Sequence, residues 1–96
     1  MKTVFLDGEK LRERADLFRA FETALDLPLE TGRNLDALND VLTERTDEIG
    51  VILVHPEAME AAFPAFSEAF FRLMRDLQKH RPGFFFTDSP FGKREK

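Results

Sequence analysis

Three short apolar runs constrain this chain more than any other feature: Thr3–Leu6 (TVFL), Val51–Val54 (VILV) and Phe84–Thr87 (FFFT). Runs of β-branched and aromatic residues of this length read as strands. Long stretches separate each run from the next, and in them the apolar residues recur at helical spacing. Strands joined through helices pair in parallel, which makes the domain α/β. The uninterrupted VILV also predicts a strand covered on both faces. The expected architecture is a small three-stranded parallel sheet packed with three to four helices in a single domain, residues 1–96.

The helices have recognisable starts and stops. Leu17, Phe18, Phe21 and Leu25 predict a helix over about Arg14–Leu27, with Asp16 favoured in its first turn and Pro28 ending it. LPLETGR follows as a connector in which Gly32 is free to turn left-handed. Asn34 stands at an N-cap position ahead of a second helix, Leu35–Thr43, whose stripe is Leu35, Leu38 and Leu42. TERTDEIG reads as a charged loop, and His55-Pro56 closes the second strand before the short helical segment PEAMEAAF. Pro64 can open a longer helix, about Ala65–Lys79, burying Phe66, Phe70, Met74 and Leu77 and stopped by Gly83. Residues 88–96, DSPFGKREK, read as a flexible basic tail.

Composition narrows the function. The chain has no cysteine, which excludes a disulfide framework and thiolate chemistry. No stretch approaches the roughly 20 apolar residues of a membrane span, and MKTVFLDGEKLRER has no signal-peptide core, so a soluble cytoplasmic protein is expected. Residues 16–50 carry nine acidic and three basic side chains, whereas residues 72–96 carry seven basic and three acidic ones. A concentrated acidic middle repels phosphate, so nucleic acid is excluded as a partner and a basic protein is favoured. Eleven phenylalanines with no tyrosine or tryptophan place most rings in the core. No Gly-rich phosphate loop is present, and His55 and His80 read as surface residues rather than general bases. No catalytic residue, metal site or cofactor is expected.

One stretch resists a purely structural explanation. In GRNLDALNDVL, Asp36 and Asp40 stand four residues apart, where like charges on a helix repel by a few tenths of a kcal/mol. Asp36 recovers about 0.3–1 kcal/mol from the helix dipole, but Asp40 recovers nothing. Residues 36, 39, 40 and 43 form one polar face, Asp, Asn, Asp and Thr, able to mimic phosphates toward a basic site. A metal shared by the two aspartates is the weakest reading, because no third ligand stands at a suitable spacing.

At this stretch the sequence resembles the barstar family of intracellular ribonuclease inhibitors. The likeness runs over residues 4–43, from a strand ending in a DG turn, through a helix closing on L-x-L-P, to G-x-N-L-D-A-L-x-D-x-L-T. The last pattern is matched at Gly32, Asn34, Leu35, Asp36, Ala37, Leu38, Asp40, Leu42 and Thr43. Beyond residue 43 the likeness is one of plan only. The resemblance implies the family's three-stranded parallel sheet and an inhibitory surface made of the second helix and the loop before it. It implies that Asp40 occupies the phosphate pocket of a basic, barnase-like ribonuclease, with Gly32, Asn34, Leu35, Asp36 and Thr43 as interface neighbours. Glu30 and Thr31 stand where the family carries loop aromatics, and Asn39 replaces a tryptophan. An acidic contact on the family's last helix has no matched counterpart here, since Leu73 falls near that position.

The expected function is therefore a stoichiometric inhibitor or immunity protein, monomeric when free, that fills a nuclease cleft through Glu30, Thr31, Gly32, Asn34, Leu35, Asp36, Asn39, Asp40 and Thr43. The alternative is an interaction or regulatory module of the same fold with a non-nuclease basic partner. The missing aromatics sustain that alternative, because an interface without them lacks its usual anchors.

Overall fold

In the computed structural model of the chain, which describes residues 1–27 and 33–89, the three apolar runs lie side by side in one parallel sheet. The strands are β1 (Lys2–Asp7), β2 (Ile49–Val54) and β3 (Phe84–Ser89), in the order β1-β2-β3. Val4 pairs with Val51, and Val51 with Phe86. Each strand is longer than its apolar run. Ile49 and Gly50, expected in the charged loop, join β2 because Ile49 is fully buried. Asp88 and Ser89 continue β3 opposite Leu53 and Val54. The rest of the expected tail, residues 90–96, lies outside the described residues.

Among the described residues four helices fill the connections: α1 (Arg14–Leu25), α2 (Leu35–Glu44), α3 (Pro56–Ala62) and α4 (Pro64–His80). Both crossovers, β1 to β2 and β2 to β3, step the same way across the sheet. Right-handed connections then place every helix on the same face. That face carries Val4, Leu6, Ile49, Val51, Leu53 and Phe84, none more than 1% exposed, packed against Leu17, Phe21, Leu25, Leu42, Met59, Phe70 and Met74. On the opposite face Phe5 is 59%, Ile52 37% and Phe85 51% exposed. The expectation that VILV is covered on both faces therefore fails. The domain has two layers, and the apolar outward residue Ile52 pairs directly with Phe5 on an open surface.

Local signals set the helix ends. The Asp16 carboxylate accepts from the Arg12 N–H at 2.9 Å and the Glu13 N–H at 3.2 Å, satisfying donors that a helix start leaves free. α1 stops at Leu25, before Pro28 can act, because Asp26 turns left-handed (φ 56°) and the Leu27 N–H closes on the Glu22 carbonyl at 3.0 Å. Pro64 opens α4 as expected, and the buried Ser67 hydroxyl donates to the Met59 carbonyl at 3.0 Å, tying α4 to α3. Phe70 lies at the centre of the aromatic packing, with Phe21 at 6.3 Å and Phe71 and Phe86 each at 6.1 Å between ring centroids.

The DG turn after β1 is a short 3-10 turn, Gly8–Lys10. A Cβ on Gly8 would lie 2.0 Å from the His55 carbonyl oxygen, so only glycine fits where this turn crosses the end of β2. Among the described residues, no helix is long and apolar enough to cross a membrane.

Candidate partner-binding site

α2 is short, and a ten-residue helix is marginal in water by itself. Its neighbours therefore fix it. At the N-terminus the Asn34 side chain accepts from the Ala37 N–H at 2.8 Å, the cap expected from sequence. Just ahead of the cap, Arg33 forms a two-pronged pair with Glu22 of α1, both contacts at 3.1 Å. Glu22 is only 6% exposed, and its hydrogen bonds hold the Arg33 guanidinium still more firmly in its charged form. Leu38 and Leu42 are buried in the core. At the C-terminus Arg45 donates to both Asp47 oxygens, at 3.1 and 2.7 Å, and to the Leu25 carbonyl at 3.2 Å.

This scaffold presents Asp36, Asn39, Asp40 and Thr43 together, all exposed, on the side away from Leu38 and Leu42. Among the described residues neither aspartate has a cation within ion-pair distance, whereas Asp16, Asp47 and Glu22 all do. Thr43 donates to the Asn39 side-chain oxygen at 3.4 Å, so these two partly satisfy each other. Leu35 is half-buried and packs on the core. The structure thus brings together Asn34, Leu35, Asp36, Asn39, Asp40 and Thr43. Glu30, Thr31 and Gly32 lie outside the described residues.

The site has a second wall that the sequence did not reveal. A groove of about 370 Å³ separates α2 from α4, lined by Asn39 and Thr43 on one side and Leu73, Asp76, Leu77 and His80 on the other. Leu73, which falls near the position of the family's last-helix acidic contact, is half-buried in this groove, and the exposed carboxylate there is Asp76, one turn further on. Helical spacing from Leu73 is the signal that would have found it.

A further cluster, Asp7, Glu9 and His55, has its ligand-type atoms within 4.8 Å of one another at the carboxyl end of the sheet. Its hydrogen bonds show a structural role. The Asp7 carboxylate accepts from the Glu9 N–H at 3.0 Å and meets His55 Nδ1 at 3.1 Å, joining the end of β1 to the start of α3. Burial pushes the Asp7 carboxyl up, but the Glu9 N–H and the His55 ring outweigh it and hold the group below its ordinary value. Asp16, through the Arg12 N–H, and Asp47, through Arg45, are held low as well.

Carboxyls depressed on folding stabilise above their unfolded value of 3.8 and lose that stabilisation as pH falls through the folded values. Urea midpoints are therefore expected to decline below about pH 4, with a shallower decline in Asp7→Asn. A midpoint that stays flat on acidification would contradict these carboxylate contacts.

An acidic face on a helix pinned at both ends, over a three-stranded parallel sheet, is the plan of the resembled inhibitors. The family model described as Barstar (barnase inhibitor) matches residues 1–87, well past residue 43, where the sequence likeness stopped. Comparison with curated proteins gives no match. Barstar family proteins are inhibitors, not enzymes, and the match takes in β1, β2, the start of β3, the helices α1 to α4 and the acidic face: the chain belongs to the barstar family.

Proposed function

We propose that the protein is a cytoplasmic immunity protein, monomeric when free, that neutralises a basic ribonuclease by binding it one to one and plugging its active site. α2 and the loop before it enter the cleft. Asp40 takes the phosphate pocket, and Asp36 lies beside it. Asn34, Leu35, Asn39 and Thr43, with Glu30, Thr31 and Gly32, complete the contact surface. Asp76 supplies the acidic contact from the last helix. The observation that carries this reading is the pair of exposed carboxylates, repelling each other on a helix whose flanking arginines, Arg33 and Arg45, are already paired with Glu22 and Asp47. A cationic cleft turns that repulsion into attraction.

A second reading keeps the fold and the acidic face but replaces the nuclease with another basic protein. It is favoured by Asn39, which stands where the family's tryptophan anchor belongs and is engaged with Thr43. One experiment separates the two. The purified protein is titrated into a panel of small basic ribonucleases, with residual RNA cleavage as readout. The proposed function predicts that at least one activity falls to zero at one equivalent. Undiminished cleavage across the panel, with capture of a basic protein lacking nuclease activity, would establish the second reading instead.

A further inference from the structure

Arg81, just past the end of α4, is a buried cation that neither the core nor the acidic face explains. It is 6% exposed, and its ion pair with Asp47 is a long one, at 3.7 Å. Its guanidinium donates to three backbone carbonyls, two at the C-terminal end of α2 and one in the turn before β3. Nε reaches Leu42 in the last turn of α2 at 3.0 Å, and Nη2 reaches Arg45 at the cap of α2 at 2.7 Å. Nη1 reaches Pro82, in the turn before β3, at 3.1 Å. The last carbonyls of a helix have no partner within it, and positive charge is favoured there. A planar fork can serve all three oxygens at once, whereas a lysine ammonium is a single point.

We infer that Arg81 is a positioning residue for the recognition helix. It fixes the C-terminal end of α2 against α4 and β3, and so sets the angle at which Asp36 and Asp40 are presented. It also sets the width of the groove between Asn39 and Thr43 on α2 and Asp76 on α4, since Arg81 lies in that groove's wall. The inference rests on the proposal that α2 is the partner-binding helix. Asn34 and the Glu22–Arg33 pair hold the other end, and Arg45 ties this end to the Leu25 carbonyl, so loss of Arg81 loosens the C-terminal end while the N-terminal end stays fixed.

The test compares wild type with Arg81→Lys, which keeps the charge and removes the fork. In the free protein, amide hydrogen exchange at residues 41–46 is expected to quicken about tenfold relative to the amides of β1 and β2. Against a ribonuclease that wild type inhibits, dissociation should quicken about tenfold, while association stays within about twofold because the acids that steer encounter are untouched. In wild type, the Arg81 Nε–H should be visible by NMR and protected from solvent, a readout that needs no variant. Wild-type exchange and dissociation in Arg81→Lys would overturn the inference. So would exchange that quickens equally in α2 and the sheet, or a freely rotating Arg81 guanidinium in wild type. If wild type inhibits no ribonuclease, the proposed function fails, and the exchange and NMR readouts still decide the role of Arg81.

Discussion

Asp40→Ala is expected to remove most of the affinity for the ribonuclease while leaving the free protein as stable as before. The side chain is exposed on α2 and has no cation beside it among the described residues, so truncation sacrifices no contact in the free state. It relieves the repulsion with Asp36, and any change in stability should be a slight gain. In the complex the partner's cations would be left desolvated and unpaired, a loss of about 2–5 kcal/mol or more, in a range to which barstar complexes themselves contribute. Asp36→Ala should cost less binding, because that carboxylate also serves the helix N-terminus and its loss trims stability. Association should slow as salt rises. Inhibition constants for wild type and both variants at low and high salt check this. If Asp40→Ala inhibits as well as wild type, phosphate mimicry is the wrong mechanism for this protein.

Phe70→Ala should do the reverse. The ring is fully buried, with three aromatic neighbours from α1, α4 and β3. Deleting it should cost about 3–5 kcal/mol. That is a large part of the roughly 5–15 kcal/mol that holds a domain together. Urea denaturation reads the loss directly. The molecules that remain folded should inhibit normally, since α2 is anchored through Leu38 and Leu42. A cost below about 1 kcal/mol would mean that the core is not packed around this ring.

The contrast between these two residues reflects what was legible in the sequence. The core was, because burial imposes a period: Phe70, Met74 and Leu77 on α4, and Leu38 and Leu42 on α2, could be read from spacing, while Phe66, expected with them, is only half-buried at the edge of the core. So was the N-cap at Asn34, since its signal is local. The open outer face of the sheet was not. A strand that is apolar on both sides looks the same whether or not a second layer covers it, and the direction of the crossovers, which decides the matter, leaves no trace in composition.

The supports of the acidic face were hidden for a different reason. Glu22 meets Arg33 and Arg81 meets Leu42 across long separations in sequence, and a buried ion with a distant partner follows no period. Asp76 was not read from the sequence, where only Leu73 stood near the family's last-helix acidic position; the exposed carboxylate lies one helical turn further on. The aspartates themselves were found because they broke a local rule. A residue that costs its own helix stability is easier to notice than one that supports it.

The strand order has a kinetic consequence. Each ladder joins residues far apart along the chain, Lys2 to Ile49 and Ile49 to Phe84, with no hairpin among the described residues to nucleate it. Loop-closure entropy must be spent before the first interstrand hydrogen bond forms, which slows folding relative to a helical bundle of the same size. β2 is the central strand and pairs on both sides, so no sheet exists until it is seated. Until then α2 has no floor of Val51 and Leu53 beneath the core it shares, and its two aspartates are only a charged segment of collapsed chain. Presentation of the acidic face thus waits on the placement of Ile49–Val54, a segment that touches no partner in the proposed complex.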